Sequence, residues 1–250
     1  LAFDSQNVSF WSAEEQRYVT YYRTWSERKG MAPTSRSAAK RIRRISRATS
    51  EDFRTWTGSR EMQYQTWGKP SPMEEFYISQ THPYCRAPHI YIAMPARFMK
   101  ARPALTEQEA DAIKVHETQR SDCSDACFMT SRPGNTWYDR TFMEAFVKPP
   151  VGPEHWSGRC NYPANGVVQT GPDEMSFYVD ESYAQPRNQL RRYSLRLDGF
   201  ASVRAPHGGG EMITKPLTFS GNALELNYAT SAAGSMRVEI RDENNRPIDG

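Results

Sequence analysis

Apolar and polar residues alternate along most of this chain with a period of two, the signature of strands with one buried face, and the helical period is rare. The runs at residues 7–11 and 17–25, joined by the polar SAEEQ turn, predict a hairpin. After the Gly/Pro/Ser-rich GKPSPMEE come FYISQTHPY and APHIYIAMPARF, two further strand-like runs. CFMTSR and WYDRTFMEAFV flank Pro133-Gly134-Asn135, a turn signal because proline presets φ while glycine and asparagine tolerate positive φ. GVVQTG, EMSFYVD and QLRRYSLRLDGFASV form the next set, turning at Gly171-Pro172-Asp173. One segment reads as a helix, ALTEQEADAIKVH, where Thr106 and Glu109 fit a capping box.

Grouped by their turns, these runs give four sheet-like units at about 1–57, 58–102, 120–150 and 160–204, each near the length of a propeller blade. From Gly208 onward the character changes: MITKPLTFSG, ALELNYATS and SMRVEIRDENNRPI are short alternating runs around SG and AAGS, as in a β-sandwich. The pattern therefore predicts an all-β chain, with a β-propeller over 1–207 and the start of a β-sandwich over 208–250.

Composition sharpens this picture in three ways. With 250 residues the chain can bury a substantial core, and 12% aromatic residues favour strands and aromatic-lined clefts over aliphatic bundles. A net charge of +3 gives no global field to recruit nucleic acid. The basic run AAKRIRRIS has no aromatic residue between its charges to stack on bases, and reads as a solvated outer strand. No apolar run approaches the roughly 20 residues of a membrane-spanning helix. The four cysteines, Cys85, Cys123, Cys127 and Cys160, do not form a disulfide framework, and CSDAC has neither a second pair nor a nearby histidine to make a zinc site. Buried or free thiols are expected, with no metal and no cofactor.

The candidate chemistry concentrates in TSRPGNTWYDRTFMEAFV. On an uninterrupted strand Arg140, Phe142, Glu144 and Phe146 would share one face, with Arg140 and Glu144 roughly 13 Å apart. A cation, a carboxylate and two rings on one strip suit a sugar; the alternative is a solvent-facing strand. His82, Tyr84, Arg86 and His89 are placed in or beside a proline-bracketed loop, where ligand contact and structural hydrogen bonding are both open. Asp4 precedes the first strand, from which a side chain can project into a central cleft or cap the turn with Ser5. In SEDFRTW, Asp52 is expected to collect local amides over Trp56.

Taken in order, FDSQNVSFW, HPYCRAPHIYIAMPARF, YDRTFMEAF, NYPANGVVQTGPDEMSFYV and LRLDGFAS resemble bacterial glycoside-hydrolase-like proteins related to glycoside hydrolase families 32 and 43. The resemblance implies a five-bladed propeller followed by a β-sandwich, with the first blade upstream of Leu1, and an extracellular or periplasmic location. In those families three carboxylates project into an axial funnel. By its place before an inner strand, Asp4 matches the second-blade acid, Glu75 is the nearest match to the third, and Glu144 is the alternative.

Two functions follow as expectations. One is carboxylate-mediated hydrolysis of a glycosidic bond, with Asp4 and Glu75 or Glu144 assisted by Arg132, Arg140, His82 and Trp137. The other is a glycan-binding or scaffold propeller without catalysis. An oligo- or polysaccharide is the expected partner in either case.

Overall fold

The computed structural model describes residues 5–27 and 41–248. It is all-β, with several open sheets and one short helix, and divides into a unit of residues 1–198 and a second of residues 199–250.

The first sheet is an antiparallel meander of β1 (Val8–Ser12), β2 (Arg17–Glu27), β3 (Arg41–Ser50) and β4 (Arg60–Glu61). The basic β3 is not a solvated outer strand: it pairs with β2 along ten residues, and most of it is buried. Its guanidiniums face carboxylates and rings. Arg43 pairs with Glu75 and Arg47 with Glu15, while Arg44 lies 4.2 Å over Tyr64. Charge count alone had marked this strand as exposed; arginine can be buried where its fork is paired and its plane stacked.

The second sheet has the order β6-β5-β12-β11-β8-β7. Its members are β5 (Gln63–Thr66), β6 (Lys69–Pro70), β7 (His82–Tyr84), β8 (Ala87–Ala93), β11 (Met129–Ser131) and β12 (Trp137–Arg140). Beyond Met94-Pro95 the β8 path continues as β9 (Ala96–Met99), paired with β10 (Cys123–Ala126). The helix α1 (Glu107–Ala112) lies in the connection between them, with Thr106 and Glu109 making the expected reciprocal cap. Residues 58–102 and 120–150 thus share one sheet through the β8–β11 ladder, and are not two units. Alternation reports which face a side chain takes; it does not report which strand lies alongside.

The third sheet is built on β15 (Glu174–Glu181), flanked on one side by β13 (Tyr162–Pro163) and β14 (Val168–Gln169) and on the other by β16 (Gln189–Arg196).

The core lies between the first two sheets. Val8, Val19, Tyr21 and Ile45 meet Met62, Tyr64, Phe76, Tyr91, Ala93, Met129 and Tyr138. Its tyrosines bring polar atoms inside, and three of them have partners: the Ile45 amide donates to the Tyr64 hydroxyl (3.2 Å), and Tyr91 and Tyr138 share hydrogen bonds with Ser12 and Thr81 (2.6 Å each).

In the second unit, among the described residues, the ladder contacts reduce to an isolated bridge between Arg241 and Pro247. The sandwich strands expected over 211–240 are absent there. Their apolar residues, Leu217, Phe219, Leu224 and Leu226 among them, are exposed.

Candidate functional site

Three segments from three of the sheets come together: 5–7 before β1, 79–82 entering the edge strand β7, and 162–165 at and after β13. Gln80 joins them. Its side-chain amide donates to Gln6 Oε1 and to the Pro163 carbonyl (2.8 Å). It is 1% exposed and sits in the left-handed region at φ 51°, a conformation costly for a non-glycine residue that persists only where the surroundings impose it. Neighbouring contacts do so. Thr81 is tied to Tyr138, and His82 Nδ1 donates to the Gln80 carbonyl at 2.9 Å.

Beside Gln80 lies a cavity of about 340 Å³ lined by Gln6, Asn7, Val8, Ser9, Gln80 and Asn165. These side chains offer amide and hydroxyl groups and no formal charge. Several buried atoms around the junction have no hydrogen-bond partner among the described residues: Gln80 Oε1, Ser5 Oγ, His82 Nε2 and the Tyr162 hydroxyl. With Nδ1 donating, His82 Nε2 is an acceptor. Burial disfavours the imidazolium and pulls the His82 pKa down. Burial likewise pushes the Tyr162 hydroxyl well above the ordinary tyrosine range.

Asn7 Oδ1 accepts from the backbone amide of Arg23 (3.3 Å), a residue of an aromatic and cationic wall. Tyr77 is its centre. Arg43 lies 4.4 Å from the Tyr77 ring, and Arg23 and Arg159 each 5.4 Å; the Tyr162 ring is 5.4 Å away. The strands set this arrangement. Arg23 and Trp25 share a face of β2 by alternation, and Trp25 stands opposite Arg43 in the β2–β3 register. Tyr77 is fixed by its amide donating to the Ala96 carbonyl at 2.9 Å. Glu75 is buried and pairs with Arg43.

Of the residues singled out in the sequence, Glu75 belongs to this wall and His82 to the junction beside it. Asp4 lies outside the described residues. The strip expected from Arg140 to Phe146 does not form, because β12 ends at Arg140. Arg140 is 1% exposed and pairs with Glu74, which also binds Arg97 (2.7 Å). Glu144 is exposed in the irregular segment that follows. Burying Arg140 against an ion-pair network outweighs continuing the strand. Tyr84 and Arg86 both bind Asp198, with Arg86 Nε at 3.0 Å. Arg132 donates to the His89 carbonyl (3.2 Å). Trp137 is 38% exposed at the start of β12.

The sequence reading passed over Gln6, Asn7, Gln80, Asn165, Tyr77, Tyr162 and the arginines Arg23, Arg43 and Arg159. A signal for the amides existed. The argument that placed Asp4 at the mouth of a cleft, a polar side chain beside the end of a strand, applies equally to NYPAN and SQTHPY.

Among the described residues no group of three or more histidine, cysteine or acidic side chains is placed to hold a metal ion. The four cysteines are free thiols, three of them buried, and burial pushes the Cys127 thiol up to about 12. Comparison with protein-family models, with curated proteins and with solved structures finds no match for this chain.

Proposed function

We propose that this chain is a carbohydrate-recognition protein that holds a saccharide unit at the Gln80 junction. The observation that carries this reading is the pairing of an uncharged, amide-lined cavity of about 340 Å³ with an aromatic wall. Its volume lies within the roughly 300–1,000 Å³ usual for small-molecule sites. A sugar presents hydroxyls that donate and accept, and C–H faces that rest on rings. Gln80, which lines the cavity, carries a buried acceptor, Oε1, with no hydrogen-bond partner among the described residues, and a buried polar atom left without a partner costs about 1–3 kcal/mol. Separate sheets that send chain segments to one junction also suit the layout of propeller blades around an axis. This supports the five-bladed glycoside-hydrolase-like architecture that the sequence resembles, and with it an extracellular or periplasmic setting.

Hydrolysis is the second reading, favoured by Glu75 in the wall and by Asp4 directly preceding Ser5 in the chain. Glycosidic cleavage requires two carboxyl groups about 5–9.5 Å apart, one protonated and one ionised. Glu75 is buried in a pair with Arg43, and Asp4, the second carboxyl this reading needs, lies outside the described residues. The binding reading therefore leads.

The experiment is calorimetric titration of the protein with a panel of oligosaccharides, with release of reducing ends followed in parallel. Saturable binding that weakens about tenfold in Gln80→Ala, without released ends, is expected. Released ends that vanish in Asp4→Asn would establish hydrolysis instead. Asp4→Asn is the informative variant, since Glu75→Gln would strand a buried guanidinium and confuse folding with chemistry. No binding across the panel sinks both readings.

A further inference from the structure

Buried or half-buried arginines in the first unit characteristically face carboxylates: Arg43 has Glu75, Arg47 has Glu15, Arg97 has Glu74 and Asp125, and Arg140 has Glu74. Arg159 breaks the pattern. It is partly buried in the aromatic wall, 5.4 Å from the Tyr77 ring and 5.9 Å from the Tyr183 ring, with a hydrogen bond to Tyr183 and no carboxylate in ion-pair reach among the described residues.

Its placement is fixed by the backbone. Arg159 and Asn161 both lie in the left-handed region, at φ 64° and 63°, on either side of the buried Cys160. Asn161 Nδ2 donates to the carbonyls of Ser124 and His155 (3.0 Å each), and Ser124 Oγ donates to the Cys160 carbonyl (2.7 Å). Left-handed non-glycine residues cost of order 1 kcal/mol or more each and persist where surrounding contacts over-determine them. Here those contacts hold a guanidinium on the wall of the saccharide site. Arginine carries a planar fork that matches carboxylate and sulfate oxygens, and partial burial against rings strengthens any charge it meets.

Resting on the carbohydrate reading, we propose that the site selects an acidic saccharide, one bearing a uronate carboxylate or a sulfate ester, and that Arg159 pairs with the anionic group while the amide-lined cavity takes hydroxyls. The neutral lining of the cavity and the cation on the wall then divide the ligand between them. Tyr183, 36% exposed beside Arg159, supplies a flat surface for the ring that carries the charge.

The test is titration calorimetry of the whole protein against three oligosaccharides of equal length: an oligogalacturonate, a sulfated galactan fragment and a neutral galactan fragment. One or both acidic ligands should bind at least about tenfold tighter than the neutral one at low salt, the advantage shrinking as ionic strength rises. Which acidic ligand it is distinguishes carboxylate from sulfate ester. Arg159→Gln should remove the preference and leave neutral binding in place; Arg159→Lys should keep part of it, since charge survives but the fork does not. Arg192→Gln, on the exposed β16, should change nothing and controls for charge at large. Equal affinity for all three ligands in the unaltered protein would overturn the inference and leave the carbohydrate reading standing. So would an acidic preference undiminished in Arg159→Gln. Absence of binding to any of the three would remove the inference together with the reading beneath it.

Discussion

His82 shows how a single side chain is assigned its chemistry by its surroundings. Its Nδ1 donates to the carbonyl of Gln80, which sets the tautomer, and its buried Nε2 has no donor facing it among the described residues. Charging the ring would place an imidazolium in a buried site, so its folded pKa falls below the ordinary value of 6.5. The unfolded chain then binds the proton more readily than the folded one. The stability gained from holding His82 neutral is therefore full above pH 6.5 and is lost as pH falls below it toward the folded pKa. His82→Gln should flatten that part of the profile. Urea midpoints of both proteins at pH 7.5 and pH 5 measure it, and equal acid-induced drops in the two would refute the assignment. The sequence marked His82 as a residue beside a loop, correctly, but could not show that Gln80 two positions earlier takes the left-handed turn that presents its carbonyl.

At the scale of elements, what the sequence disclosed was local and what it concealed was not. The hairpin between β11 and β12 was legible because its determinants are four consecutive residues. Pro133 and Gly134 occupy the turn, Gly134 has φ 78°, and the Asn135 amide donates to the Arg132 carbonyl at 3.1 Å. The cap of α1 was legible for the same reason, as was the turn at Asp52, whose carboxylate accepts from the amides of Arg54 and Thr55 at 2.8 and 2.7 Å. Those donors hold the Asp52 pKa down at about 2. By contrast, the end of β12 at Arg140 depends on Glu74, some sixty residues away, and alternation that runs on to Val147 gave no hint of it. The turn residue supplies a direct check. A Cβ at position 134 would meet no atom within 4 Å, so the only penalty of Gly134→Ala is the left-handed backbone, about 1 kcal/mol. Chemical denaturation should register that loss with the denaturant dependence unchanged. A neutral or stabilising result would mean that the turn opens another way.

Across the whole molecule the same division between local and distant information sets how far the architectural reading reaches. All-β character follows from alternation that any ten residues display. The joining of residues 58–102 with 120–150 in one sheet follows from the β8–β11 ladder, which pairs residues separated by an entire helical connection. The Gln80 junction is likewise a product of distant pairing: Gln80 reaches Gln6 and Pro163 across 74 and 83 positions of sequence. The second unit makes the complementary point. Its alternation is as regular as that of β2 or β15, yet Leu217, Phe219, Leu224, Leu226 and Tyr228 stay exposed and no continuous ladder forms among its described residues. An amphipathic run specifies a strand only when another surface covers its apolar face and another backbone takes its hydrogen bonds. Opening free energies should therefore fall sharply past Asp198. In native-state hydrogen exchange, peptides covering 211–240 are expected to exchange within seconds, whereas those covering β2, β8 and β15 should resist for far longer. Slow exchange across 211–240 would show that a second surface covers these residues in solution, and would identify that surface as the place to look for the remainder of a sandwich.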